Sequence, residues 1–417
     1  MPRIKIHNFG PIKTGYKEND GFLDVARVTV FTGNQGSGKS TVAKLLSTFF
    51  WMEKVLVRGD YSQDYFTEEN FIKERLVFHR LSNEYHKNNP ELIYEGEAYH
   101  IAYKNGKLQI LKKDALHYLL PQIMYVPAER NILASVGNAS KLKNISGALN
   151  EFITEYGNAK ETISDSIILP INNTSAEYDK THNMIYIRGD NYRISLIDAA
   201  SGFQSLVPLY LVSHYLCNSI KSFKNSESMS SEERRRFEKQ FEEIIRDPNL
   251  NDEQKRIARS NLGKSYNKAA FINIIEEPEL NLFPHTQKGF LYELLKFNNT
   301  IRENETESGN RLILTTHSPY LINFLSVAIY GAALSKKLDS SNKKEFLKEE
   351  LLRVVPQSAL TSVDDVSIYQ LDETDGVITK LSTAEGIPSD NNLLNNMIQQ
   401  GNQEFDKLLE IEEKLEC

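Results

Sequence analysis

The chain has 417 residues, 40% of them apolar, with 49 basic against 56 acidic side chains and a formal net charge of −7. That length holds two or three domains, or one large α/β domain with insertions, and the acidic balance excludes a uniformly basic nucleic-acid binder while leaving room for a local basic patch. With Cys217 and Cys417 as its only cysteines, and neither a signal peptide nor an apolar run of membrane-spanning length, the chain reads as cytoplasmic, without disulfides and without a membrane partner.

Ile4 to Phe9 alternates apolar and polar and stops at Gly10-Pro11, which predicts a half-buried strand pairing antiparallel with a strand near Phe22 to Val25. Val28 to Phe31 reads as a buried strand. Gly33 to Ser40 then fits G-x-x-x-x-G-K-S without a mismatch, and Val42, Ala43 and Leu45 open an apolar-faced helix. This strand–loop–helix context is what a phosphate-binding loop requires. Glycines at 33, 36 and 38 let successive N–H groups turn inward, and the helix N-terminus adds its positive end. Asn34, Gln35, Gly36, Ser37, Gly38, Lys39, Ser40 and Thr41 are the candidate nucleotide contacts, with Lys39 reaching the β- and γ-phosphates of ATP and Ser40 holding Mg²⁺.

The helix is expected from Thr41 to about Val57, its Phe49, Phe50 and Trp51 read as core packing rather than a base-stacking surface. Residues 60–90 read as helical and charged. Arg80 and His86 there stand at the R-x₄₋₆-H spacing of HEPN ribonucleases, a pair that a surface helix also produces. Leu92 to Leu111 turns to β, with Asn105-Gly106 as a hairpin turn. Ile123 to Val126 is another buried strand, and Glu129 and Arg130 follow it, where ligands sit in open α/β sheets or where a helix simply begins. Residues 131–180 read as helical, then irregular. A second hairpin flanks Arg188 to Asn191, and Ser201-Gly202 opens an apolar helix, a weak second anion site.

Residues 218–268 form a charged insert, expected as a helical hairpin with a Ser230 to Glu233 capping box and an Asn251/Gln254 cap. Its Arg234, Arg235, Arg236, Lys255, Arg256 and Arg259 read either as a solvated arm or as a nucleic-acid or partner contact. The apolar strand Ala270 to Ile275 ends in Glu276-Glu277-Pro278-Glu279, where one acid can enter the Mg²⁺ shell and the other polarise a water. Leu312 to Thr316 ends in His317-Ser318-Pro319, and its imidazole could bond a γ-phosphate. Leu321 to Leu352 is expected helical, then a strand pair around Asp375-Gly376, and a polar helix from about Ser389 to Leu415.

In this order, the Walker A loop, the Ser-Gly helix start, the strand followed by Glu-Glu-Pro-Glu, and Thr-Thr-His-Ser-Pro resemble ABC-type ATPase heads. The closer likeness is to the RecF/SMC/OLD-like branch, which includes AAA-family ATPases of bacterial anti-phage defence systems. The likeness covers most of the chain, with residues 1–130 and 195–330 best matched. It implies an α/β P-loop NTPase of the ABC-ATPase head type, with a mixed sheet, an antiparallel β subdomain and helical insertions. The expected division is an N-terminal lobe 1–130, a signature region 131–217, an insertion 218–268, a Walker B and histidine part 269–334, and a C-terminal extension 335–417.

The same likeness implies that Glu276 takes the metal role, Glu277 becomes the catalytic base and His317 the switch histidine. Ser201 and Gly202 would contact the γ-phosphate on a second copy, making an ATP-sandwich dimer or higher oligomer. Three departures stand out: Glu276 replaces the commoner Asp, Asp198 to Ser205 lacks the full Leu-Ser-Gly-Gly-Gln, and Glu129 or Arg130 stands in place of a Q-loop glutamine. The insert is far too short for an SMC coiled coil. OLD nucleases carry a TOPRIM domain after the ATPase; here only Ser335 to Cys417 remains, so no nuclease activity is expected of this chain. The reading favoured is an ATPase that gates a separate effector such as a nuclease, as in two-component anti-phage systems. The alternative is a DNA-binding RecF/SMC-like clamp in repair or replication.

Overall fold

The computed structural model describes residues 1–81, 83–114, 118–135, 143–221, 231–248, 250–266, 268–300, 309–339, 344–384, 387–388 and 392–416. β1 (Arg3–Phe9), β2 (Gly15–Tyr16) and β3 (Phe22–Asp24) open the chain, and β1 pairs antiparallel with β3, Ile4 opposite Leu23. β4 (Val28–Gly33) leads through the glycine loop into α1 (Lys39–Arg58). Short helical turns over Gln63–Tyr65 and Glu68–Asn70, and a π-helical stretch Phe71–Leu76, come next. The helix expected through residue 90 does not form: Arg80 takes φ 56° and β5 (His86–Glu95) begins at His86. Arg80 and His86 therefore share no helix face, and the ribonuclease-like spacing loses its basis. β6 (Tyr99–Lys104) and β7 (Lys107–Lys112) complete the expected hairpin, with Asn105 and Gly106 at φ 53° and 70°.

β8 (Pro121–Val126) precedes α2 (Gly147–Glu161). Two strands in the stretch expected to be irregular, β9 (Ser166–Ile168) and β10 (Ser175–Asp179), join β11 (Met184–Arg188) and β12 (Arg193–Ser195) in one antiparallel sheet. α3 (Ser201–Lys221) follows, then the insert as α4 (Ser231–Arg246) and α5 (Asp252–Tyr266). Asn251 and Gln254 exchange the expected capping bonds at 2.8 and 2.9 Å; the Ser230 cap lies outside the described residues, as does Cys417. The order continues with β13 (Ala270–Glu276), α6 (Pro284–Asn299), β14 (Arg311–Thr316), α7 (Pro319–Asp339) and α8 (Lys344–Val354). β15 (Val366–Leu371), β16 (Val377–Lys380) and α9 (Leu393–Glu416) end the described chain.

The central sheet runs β2-β16-β15-β4-β14-β13-β8, and β15, β4, β14, β13 and β8 are mutually parallel. Its strands alternate between two cores. Val28, Val30, Phe271, Ile275, Leu312 and Leu314 pack with α2, α3, α6 and α7. Phe31, Ile272, Ile274 and Ile313 pack with α1 and the antiparallel sheet β3-β1-β5-β6-β7. Burial on both faces explains why these strands read as unbroken apolar runs. Each such side chain removed from water contributes roughly 1.5–3 kcal/mol. The domain line expected at residue 335 cuts across this sheet, because β15 lies directly beside β4.

α7 amends the expectation about apolar runs. By length and composition it could cross a membrane, yet Leu321, Ile322, Leu325, Ala328 and Ile329 belong to the core, and the helix packs against α6 and α8.

Candidate active site

Parallel pairing places three strand ends in line. Thr316 lies opposite Thr32 and Glu276 opposite Thr315, so the glycine loop, Thr316-His317 and Glu276-Glu277 share the carboxyl edge of β4, β14 and β13. Gly33, Gly36 and Gly38 adopt φ of 144°, 76° and 101°. A Cβ on Gly33 would come within 2.3 Å of the Leu371 carbonyl oxygen. Lys39 is 5% exposed and donates to the carbonyls of Gly33 at 2.9 Å and Asn34 at 2.7 Å. Burial pushes its ammonium down to about 8, against the pull of Glu277, Glu279, Glu373 and Glu276. Ser37 and Thr41 are buried, Ser40 half-buried, Gln35 exposed. Asn34 is held by an acid that no motif marks: its Nδ2 donates to Glu373 Oε1 at 2.6 Å, from the β15–β16 turn.

Glu276 is 5% exposed. Its Oε2 accepts from the Ala128 N–H at 3.2 Å, while its Oε1 is buried with no hydrogen-bond partner. A buried carboxyl oxygen left so is costly unless a donor or a cation meets it; the Tyr125 hydroxyl lies beside this carboxyl, and with Ser40 the oxygen fits a hard divalent ion. Among the described residues no group of three or more His, Cys, Asp or Glu forms a metal cage. Mg²⁺ needs none, since it takes one or two protein oxygens and completes its shell from water and phosphate.

Glu277 sits at φ 44°, a left-handed conformation that costs a side-chain-bearing residue about 1–3 kcal/mol. Its Oε1 is 3.4 Å from His317 Nε2. Bonding to His317 first, and then the charges of Lys39 and Arg130, hold the carboxyl below the usual glutamate range despite partial burial. It is therefore ionised and ready to accept a proton.

Two side chains that carried no assigned role in the sequence, or the wrong one, organise this edge. Arg130 is fully buried, its pKa pushed down to about 10 by burial. Its Nη1 donates to the Glu276 carbonyl at 2.6 Å, its Nη2 to the Glu277 carbonyl at 2.6 Å, and its Nε to the Ser205 carbonyl at 3.1 Å. Such a clamp cannot act as a swinging Q-loop substitute, and Glu129 beside it is exposed. Glu279 Oε1 accepts from Thr316 Oγ1 at 2.8 Å and the His317 N–H at 2.7 Å, fixing the tip that carries the imidazole. Burial pushes the Glu279 carboxyl up, against those bonds. Ser318 Oγ completes the tip by donating to Gln287 at 2.6 Å.

Ser201 is exposed at the start of α3 and Gly202 half-buried. A Cβ on Gly202 would lie 3.0 Å from the Asn281 carbonyl, and Asn281 Nδ2 donates to Ser205 Oγ at 2.9 Å. The helix start thus rests on the turn after Glu277. No hydrogen bond among the described residues joins Ser201 or Gly202 to the glycine loop of the same chain.

No family model and no curated protein matches the chain. Among solved structures it is similar to an SMC head domain from Thermotoga maritima, at 10% identity and TM-score 0.36, over 92% of this chain and 98% of that one. An Smc head domain with an extended coiled coil from Pyrococcus furiosus, bound to the C-terminal domain of ScpA, gives 10% and 0.36 over the whole of both chains. A dimeric bacterial ABC transporter cassette gives 12% and 0.23 over 92% of this chain and all of that one. With TM-scores this low, the functional reading rests on the chemistry of the strand ends themselves.

Proposed function

We propose that the chain is an ABC-type ATPase head that binds ATP with Mg²⁺ and hydrolyses it to ADP and phosphate. The observation that supports this most is the ionised, strained Glu277 beside His317, one residue from the orphaned oxygen of Glu276 and on the sheet edge that carries the glycine loop. In this reading the loop N–H groups and Lys39 hold the β- and γ-phosphates. Ser40 and Glu276 would hold Mg²⁺, which would supply positive charge against the phosphates. Glu277 accepts the proton of the attacking water, and His317 orients that carboxylate and faces the transferred phosphoryl group.

Ser201 and Gly202, which make no hydrogen bond to their own loop among the described residues, are suited to the γ-phosphate of a second copy, so the active species is an ATP-sandwich dimer or higher oligomer. The role that follows from the motif likeness is regulation or scaffolding of a separate effector, such as a nuclease, in bacterial anti-phage defence. The DNA-binding alternative would draw on Arg234, Arg235, Arg256 and Arg259, which are exposed; Arg236 is already engaged, 3.5 Å from Asp60 and over the Tyr61 ring.

Turnover of ATP should require Mg²⁺ and be lost in Lys39→Ala; Mg²⁺-independent turnover, or activity surviving that substitution, would remove the reading. The lysine also sets a pH dependence. Because burial holds Lys39 near 8, its charge is present below that pH and lost above it. Affinity for ATP, measured by calorimetry, should therefore fall as pH rises through 8, by up to about tenfold per unit.

A further inference from the structure

A small, half-open cavity lies between α1, the turns before β5, β8 and α2. Its lining includes Trp51, Arg75, Phe78, His79, Tyr125 and Glu151. The proposed ATPase cycle uses none of them. Phe49 and Phe50 are core residues as expected, but Trp51 is only half-buried and forms a wall of this space. Flat rings surround it: His79 meets Tyr125 edge-on at 4.7 Å, and Phe78 lies so close over Gly147 that a Cβ there would be 2.2 Å from the ring.

Three buried polar atoms in this lining have no hydrogen-bond partner, His79 Nδ1, Arg75 Nε and the Tyr125 hydroxyl. His79 is 3% exposed, and burial, then the charges of Lys44 and Arg75, push its imidazole down to about 3, so it is neutral. The Arg75 guanidinium lies 4.1 Å over the Trp51 ring. Arg75 itself belongs to the π-helical stretch Phe71–Leu76, a rare winding that is frequent at functional sites. Orphaned buried polar groups are rare in folded chains and call for a partner.

We propose that this cavity binds a planar heterocycle bearing ring carbonyl oxygens, of the uracil or guanine type. Flat walls select a flat ring. The Arg75 N–H selects a carbonyl acceptor, and Glu151, which also lines the space, can accept from the ring N–H that adjoins such a carbonyl. The cavity lies apart from the phosphate loop, so the site stands whether or not the ATPase reading does.

Trp51 is the only tryptophan in the chain, so its emission reports on the cavity directly. Uridine or guanosine should change it saturably, while adenosine, which lacks a ring carbonyl, should bind about tenfold more weakly. His79→Phe keeps the ring and removes the nitrogens; it should weaken binding about tenfold while leaving the melting temperature equal or higher, because an orphaned polar atom is gone. Lys39→Ala should bind the nucleosides as wild type does. Tighter binding of a short single-stranded oligouridylate than of uridine would give the source of the base as a strand; equal or weaker binding would give it as a free nucleoside. The proposal is overturned by no saturable change with uridine or guanosine, by undiminished affinity in His79→Phe, or by loss of binding in Lys39→Ala.

Discussion

Glu277→Gln is expected to bind ATP as wild type does and to turn it over about a hundred- to ten-thousand-fold more slowly. The amide keeps the shape and the backbone conformation but cannot take the proton of the attacking water. With hydrolysis stopped, the species that closes around ATP should persist. Mass measured in solution, without nucleotide and with ATP-Mg²⁺, should show the variant doubling or assembling further only with ATP, and wild type doing so transiently. If the variant ignores ATP in this measurement while still binding it, the assignments of Ser201 and Gly202 to a second copy fail first. If turnover is undiminished, Glu277 is not the base.

Arg130→Met is the substitution expected to cost most in stability, about 3–5 kcal/mol. It removes three hydrogen bonds of 3.1 Å or shorter, those to the carbonyls of Glu276, Glu277 and Ser205. Arg130→Lys separates folding from function. It keeps the charge, but an ammonium lacks the planar fork that reaches two adjacent carbonyls at once. The peptide on which Glu277 sits should then relax from its left-handed conformation. Denaturant midpoints should show a smaller loss for Arg130→Lys than for Arg130→Met, while ATP turnover falls sharply in both. Turnover near wild type in Arg130→Lys would show that the clamp does not position Glu277.

What the sequence made legible was chemistry concentrated at strand ends. Buried parallel strands advertise themselves as apolar runs, and a glycine-rich loop, a pair of acids or a histidine after such a run is conspicuous. Arg130 was visible but misread, since nothing local distinguishes a buried cation spanning three carbonyls from a charged residue at a helix start. Glu279 stood within a quoted motif, yet its bonds to Thr316 and His317 cross 37 and 38 positions of chain. The Asn34–Glu373 contact spans 339 positions, beyond any spacing argument. β10 escaped because Ser175–Asp179 buries only Ala176 fully and so carries little apolar signal. The missing helix before β5 has a plainer cause: charged residues at helix-compatible spacing say nothing of the left-handed turn at Arg80 that redirects the chain.

The position of β15 has a consequence for how the protein comes into being. The glycine loop follows β4 directly, but the acid that holds its Asn34, just beyond β15, is made 339 positions later. Leu371 approaches Gly33 too closely for any side chain, Glu373 grips Asn34, and β2 has its sheet partner only in β16. A growing chain that already displays every recognisable motif still lacks the floor and one wall of its phosphate cradle. On the proposed reading, nucleotide capture is expected only once β15 and β16 have been made and paired.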